Sequence, residues 1–364
     1  MSLRILSASD VSKVTARFSP DELVDLMADV FSRLSRSDPG IVQPPRSAVP
    51  SGHHTCLFMP SRVASSGTTM KVVAVPTSTA PQDVKERGLP ASTIVVDEWS
   101  GGVKAMVNAR NLTALRNAAG SLLATRLLLS SDATPESIAA FGAGAQIQAH
   151  LSLFLAAYPS IRSCTIFNRS LGPRVDNLRE LIRRSFPAVK IIVAALSNDD
   201  KTTGVTLKEE VARADIIIAA TSSTEPLFPS DYVRPGTHLC LIGSYKPEMH
   251  EIDTSLVKRA GSVVVDQKSA CLTHIYGSQH EAGELIAAGC TETDLVELGQ
   301  LYDYAGDQTR WTPRRDMAED IRAAGDVTIF KSVGVGVQDV VIACAVVQRA
   351  IEEGIGHVIE DYDA

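Results

Sequence analysis

From Ser137 onward the chain alternates short apolar runs with helical segments at regular intervals, and this alternation restricts the fold more than any other feature. Ser137–Phe141 reads as a strand, Gly142-Ala143-Gly144 as a tight turn, the residues to about Tyr158 as a helix, and Ser163–Phe167 as the next strand. Further strands are expected at Lys190–Ala194, Asp215–Ala220, His238–Ile242 and Ser262–Asp266. Parallel neighbours in a sheet need a crossover, and the intervening helices supply it, so the series predicts an α/β fold with a mostly parallel, doubly wound sheet at 126–330.

The residues before it follow another pattern. Ser19-Pro20-Asp21-Glu22 combines a hydroxyl N-cap, proline at the first helical position and a glutamate that closes a capping box, and Leu23, Met27, Val30, Phe31 and Leu34 then recur at helical spacing. Short β-type runs follow at Met70–Val75, Thr93–Val96 and Val103–Val107, and an Ala/Leu-rich helix at Leu112–Leu129. The apolar tail Val333–Ile351 is expected to return to this region, giving a smaller α+β domain of 1–125 completed by 331–364. The polar stretch Asp303–Asp326, which contains Trp311, reads as an insertion or mobile surface element.

Composition narrows the function classes. With 364 residues and 45% hydrophobic content the chain can fill two cores, which excludes disorder as its main state. Thirty-five basic against 42 acidic residues give a net charge of −7 without a basic block, so neither nucleic acid nor an anionic membrane is an expected partner. The N-terminus lacks a continuous apolar h-region and the apolar runs fall short of the roughly 18 residues a membrane span needs, so a soluble cytoplasmic protein is expected. Six scattered cysteines without a CxxC pair read as reduced thiols. His53 with His54, and His274 with His280, do not make a ligand pattern; no metal site is expected, and no GxSxG elbow suggests a hydrolase.

The turn Gly142-Ala143-Gly144-Ala145-Gln146 stands where a Rossmann-type sheet binds the pyrophosphate of a dinucleotide, directly after the first strand of a βαβ unit. Ile147 replaces the third glycine of that motif. At the end of the second strand an NAD site usually offers an acid to the ribose, whereas here Asn168-Arg169-Ser170 offers a permanent cation suited to the 2′-phosphate of NADP(H). A solvated arginine at the start of a loop is the competing reading. In the smaller domain, Arg46, Lys71 and Arg116 are the anion-binding candidates. Lys71 sits in the apolar run Met70–Val75, where it either points outward from an edge strand, the commoner arrangement, or faces a polar cavity.

The segment Leu112-Thr113-Ala114-Leu115-Arg116-Asn117-Ala118-Ala119-Gly120-Ser121 resembles the LTxxRTAAxSA segment of the ornithine cyclodeaminase/mu-crystallin family. Gln43–Arg46, Met70–Val75, the Gly142 turn, and Thr328–Gly334 with Asp339 beyond it agree in order, so the resemblance covers nearly the whole chain. It implies a substrate domain built from both chain ends, a central Rossmann domain, and a homodimer formed through the substrate domain. It also implies that Arg46, Lys71 and Arg116 hold the substrate carboxylate, which reverses the outward reading of Lys71. Cofactor contacts would fall on Gly142, Gly144, Ala145, Gln146, Asn168, Arg169, Ser170 and Thr221, with Ser332, Val333 and Gly334 near the nicotinamide.

Two departures bear on the reaction. Ornithine cyclodeaminases carry an aspartate after the fifth strand and a glutamate two residues before a Met-Pro pair; this chain has Tyr245 and Leu57 there. Both losses remove carboxylates that would hold a diamine. The expectation is an NADPH-dependent reductase of a C=N bond next to a carboxylate, such as a cyclic ketimine, with Lys71 or Tyr245 as proton donor. An opine-type or amino acid dehydrogenase, an ornithine cyclodeaminase, and a non-catalytic binder of NADPH and small acids are the alternatives.

Overall fold

The computed structural model describes residues 2–196, 206–272, 282–304 and 311–362. His274, His280 and part of the polar stretch, 305–310, lie outside the described residues. The chain forms two compact units, Met1–Arg116 with Val335–Ala364, and Asn117–Gly334. The borders read from sequence stand at 125/126 and 330/331.

The first unit begins with β1 (Leu3–Leu6), α1 (Ala8–Thr15) and α2 (Pro20–Ser35). Helix α2 starts where the capping box places it: the Ser19 hydroxyl accepts from Glu22 N–H while the Glu22 carboxylate accepts from Ser19 N–H. Strands β2 (Ile41–Val42), β3 (Ser47–Ser51), β4 (His54–Val63) and β5 (Gly67–Pro76) follow, then α3 (Gln82–Glu86), β6 (Ala91–Val96), β7 (Val103–Asn108) and the start of α4 (Leu112–Leu128). The long ladder between β4 and β5 pairs Met59 with Lys71, and β6 lies on the other side of β5, pairing Thr93 with Lys71. Strand β5 is therefore internal to the sheet, and the edge-strand reading of Lys71 is corrected: the residue is only 3% exposed.

The second unit holds an eight-stranded sheet in which every described pairing is parallel. Its strands are β8 (Ser137–Phe141), β9 (Ser163–Asn168), β10 (Lys190–Ala195), β11 (Ile216–Ala219), β12 (His238–Leu241), β13 (Val263–Val265), β14 (Leu295–Glu297) and, after the small β15 (Tyr302–Tyr304) and β16 (Trp311–Pro313) ladder, β17 (Thr328–Lys331). The helices are α5 (Ala145–Ala157), α6 (Pro173–Ser185), α7 (Leu207–Arg213), α8 (Thr254–Arg259), α9 (Lys268–Leu272), α10 (Gly283–Ala287) and α11 (Arg315–Ala324). The order β10-β9-β8-β11-β12-β17-β13-β14 is doubly wound about β8. Strands β11, β12 and β13 are buried along their whole length, which is why they read as unbroken apolar runs rather than as alternation.

Two features differ from the sequence reading. Strand β17 inserts between β12 and β13, although sequence marks Thr328–Lys331 only as part of a motif. The polar stretch is partly built into the fold, since α11 buries Ala318 and Ile321 and Arg314 bonds Asp303 at 2.6 Å. The chain then returns to the first unit with α12 (Gly336–Glu352) and β18 (His357–Ile359), which pairs with β1. Helix α12 packs on β4, β5 and β6 and against α2, burying Val337, Val340, Val341, Val346 and Val347.

Candidate functional site

In the second unit, the loops that leave the carboxyl ends of β8, β9, β11, β12 and β17 carry the residues singled out from sequence, which is where open α/β sheets take ligands. Gly142 has φ of +111°, and a Cβ there would stand 3.0 Å from the Ala220 carbonyl, so a side chain would be both strained and crowded. Gly144 is the N-cap of α5 and contributes no side chain; Ala145 and Gln146 open the helix, whose first turn contains no acid. The first amides of such a helix lack intrahelical acceptors and favour an anion. The Gln146 Oε1 is buried without a hydrogen-bond partner, an orphaned acceptor beside this turn. Arg174 Nε donates to the Ala143 carbonyl at 3.0 Å, placing a cation against the turn that sequence did not single out. At the end of β9, Asn168 Nδ2 donates to the Ser170 carbonyl at 2.8 Å, and Arg169 and Ser170 are exposed. The Ser332 hydroxyl and the Gly334 amide both donate to Asp266, at 2.8 and 2.7 Å, and Val333 packs on the core between them. These residues fit a dinucleotide.

In the first unit the structure brings together Lys71, Arg116 and Arg46, which stand far apart in sequence. Lys71 Nζ donates to Asp339 Oδ2 at 2.5 Å, and Arg116 Nε donates to Asp339 Oδ1 at 3.3 Å. Arg116 also donates to Gln338 Oε1 at 2.6 Å, and Gln338 is held in turn by its amide's contact with Met27 Sδ. Asp339 and Gln338 ride on the first turns of α12, whose entry is fixed by Val337 N–H donating to Gln43 Oε1 at 3.1 Å. The Pro-rich segment that carries Arg46 is thereby tied to the same helix end. Burial depresses the Lys71 pKa below the ordinary lysine value; Asp339 opposes this, while Arg116 and Arg46 reinforce it. Burial would raise the Asp339 carboxyl, but Lys71 and Arg116 outweigh it and hold it below the usual carboxylate range. Leu57 lies buried on β4, on the same sheet face as Lys71.

Tyr245 stands on the loop after β12 in the second unit, half-buried. The bridging role of Asp339 is not evident from sequence, where it is only part of a motif. Glu251 is missed altogether: its carboxylate is fully buried and accepts from Thr221 N–H and Gly243 N–H, each at 2.7 Å. Among the described residues no cluster of histidine, cysteine and acidic side chains is arranged to hold a metal ion, no helix is long and apolar enough to cross a membrane, and the six cysteines form no disulfide.

The fold defines a class, the α/β proteins with a Rossmann-type sheet and a second unit built from both chain ends. Residues 5–354 match the model of the ornithine cyclodeaminase/mu-crystallin family, and the chain belongs to that family. It is 32% identical to a delta(1)-pyrroline-2-carboxylate reductase of Paracoccus denitrificans over 71% of this chain and 73% of that one. It is 27% identical to the ketimine reductase mu-crystallin of Rattus norvegicus over 84% of each chain. Among solved structures, the Thermococcus litoralis delta(1)-pyrroline-2-carboxylate reductase in complex with NADH and L-proline superposes with a TM-score of 0.74 at 22% identity, covering 97% of this chain and 99% of that one, which shows the shared fold.

Proposed function

We propose that this protein is an NADPH-dependent reductase of a carbon–nitrogen double bond next to a carboxylate, with a cyclic ketimine as its preferred substrate class. One observation carries the reading: the buried Lys71–Asp339–Arg116 constellation, with the Arg46 charge acting on it, gathers three cations in the first unit. Buried cations are costly to desolvate, and a substrate carboxylate offsets part of that cost. Charge-assisted bonds to Arg116 and Arg46 fix the acid, and Lys71 holds a proton for the substrate nitrogen. When bound, the reduced nicotinamide supplies hydride to the imine carbon. The products are then an amino acid carrying the new C–H and N–H bonds and the oxidised cofactor. Tyr245 is the alternative proton donor.

The pyrroline-2-carboxylate and ketimine reductases among its relatives support this reading. Arg169, exposed beside Ser170 at the end of β9, supports the choice of NADPH over NADH. Gly142, Gly144, Ala145, Gln146, Asn168, Thr221, Ser332, Val333 and Gly334 complete the proposed cofactor contacts. The proposed assembly is a homodimer through the first unit. The sheet face opposite Lys71 supports it: that face carries Val49 and Met106, 49% and 40% exposed, in register with Cys56 and Ile94.

Replacing Arg46 or Arg116 by alanine is expected to raise KM for the carboxylate substrate by at least about tenfold, since a charge-assisted hydrogen bond contributes about 1.5 to 3 kcal/mol, and to leave NADPH affinity nearly unchanged. Steady-state kinetics with parallel cofactor titration measures both, and unchanged KM in the two variants would remove these arginines from the site.

A further inference from the structure

Glu251 is fully buried, yet it lies in a loop of the sheet's carboxyl end and belongs to none of the motifs. Its Oε1 accepts from the Thr221 amide at 2.7 Å and the Thr221 hydroxyl at 3.0 Å, and its Oε2 accepts from the Gly243 amide at 2.7 Å. One carboxylate therefore joins the loop after β11 to the loop after β12. The two backbones approach so closely that a Cβ on Gly243 would overlap Thr221 and the Glu251 carboxylate, which explains glycine there. Burial, the largest influence, and Glu284 push the Glu251 carboxyl above the ordinary carboxylate value, while Lys331 and the Thr221 and Gly243 amides favour the anion; an amide in its place would turn a donor toward one of those donors. The Lys331–Glu284 pair, 3.1 Å apart and fully buried, also acts on Glu251, its two members in opposite directions.

We infer that Glu251 is a positioning residue for the nicotinamide half of the crevice: it fixes the Thr221 and Gly243 loops, and its negative charge favours the oxidised, positively charged ring over the reduced, neutral one. The inference rests on the proposed dinucleotide reading. By favouring the product form of the cofactor, the carboxylate makes the bound reduced form a stronger hydride donor. The adenine half is assigned to the Gly142 turn and Arg169, at the ends of β8 and β9, so loss of the Glu251 charge should leave its binding nearly unchanged.

The test compares the dissociation constants of NADP⁺, NADPH and ADP-ribose for the unmodified protein, Glu251→Gln and Glu251→Asp by fluorescence and calorimetric titration. Loss of one nearby charge should raise the ratio of the NADP⁺ to the NADPH constant by about tenfold in Glu251→Gln. ADP-ribose binding should stay constant, and Glu251→Asp, which keeps the charge, should hold the ratio near that of the unmodified protein even if both forms bind less tightly. A purely structural role would weaken both forms equally, so an unchanged ratio in Glu251→Gln overturns the inference. A ratio that moves as far in Glu251→Asp as in Glu251→Gln overturns it as well. Absence of ADP-ribose and NADP(H) binding by the unmodified protein would overturn the dinucleotide reading itself, and the inference with it.

Discussion

Asp339 decides how the cationic cluster behaves, because its carboxylate is bonded to both Lys71 and Arg116. Burial lowers the Lys71 pKa and Asp339 raises it, so Lys71 loses its proton at a lower pH than an exposed lysine would. If Lys71 supplies the proton, reduction falls as pH rises through that depressed value. Asp339→Asn removes the opposing influence, and the descending limb of the kcat/KM profile is expected to move to lower pH, with at least about tenfold loss of rate near neutrality. An unshifted limb in a pH-rate series would assign the proton to another group. Stability depends on pH in the opposite sense: the Asp339 carboxyl is held below the usual carboxylate range, so its contribution is present above that range and lost as pH falls through the depressed folded value. At the cofactor end, Arg169→Ala is expected to erode a preference for NADPH over NADH of about tenfold, roughly 1.4 kcal/mol, and equal binding of both cofactors by the unmodified protein would contradict the role given to Arg169. Motif residues such as Arg116 and Gly142 are visible in sequence because their neighbours repeat a pattern. The partnership of Lys71 with Asp339 is not, since 268 positions separate them and only the return of α12 joins them.

At the scale of elements, parallel strands were legible because full burial on both faces leaves unbroken runs such as Ile216–Ala219. Strand β17 was not, because four residues ending in lysine do not make such a run; its Lys331 is neutralised by Glu284, a partner from α10. Periodicity likewise could not distinguish an edge from an internal strand for β5, since the alternation along one strand contains no information about its neighbours. Helix α12 shows the reverse case: its apolar run was plain, but the reason for its polar start is the pair Gln338 and Asp339, which serve Arg116 and Lys71. The tight meeting of the β11 and β12 loops gives a prediction at this scale. Gly243→Ala must push the Thr221 backbone away, so it is expected to destabilise the protein by roughly 3 kcal/mol and weaken cofactor binding. Thermal unfolding with and without NADPH measures both, and a variant indistinguishable from the unmodified protein would show that the loops have more room than the geometry allows.

For the whole molecule, family membership and fold leave the reaction open between reductases and cyclodeaminases, and two residues narrow it. By resemblance, Leu57 on β4 and Tyr245 after β12 fall where the cyclodeaminase pattern has carboxylates, so the proposed reading expects the distal ammonium of a diamine to lose the two counter-ions that pattern supplies. An unpaired buried charge costs several kcal/mol, enough to suppress ornithine binding by orders of magnitude, whereas a planar ring with one carboxylate meets no such cost. The most direct measurement pairs two assays on the same preparation: NADPH absorbance with a five- or six-membered cyclic ketimine carboxylate, and ammonia and proline release from L-ornithine with catalytic NAD. An NADPH-dependent ketimine reductase gives NADPH oxidation that depends on the ketimine and no ammonia from ornithine. Proline formation from ornithine at an appreciable rate, with no turnover of the ketimine, would contradict it.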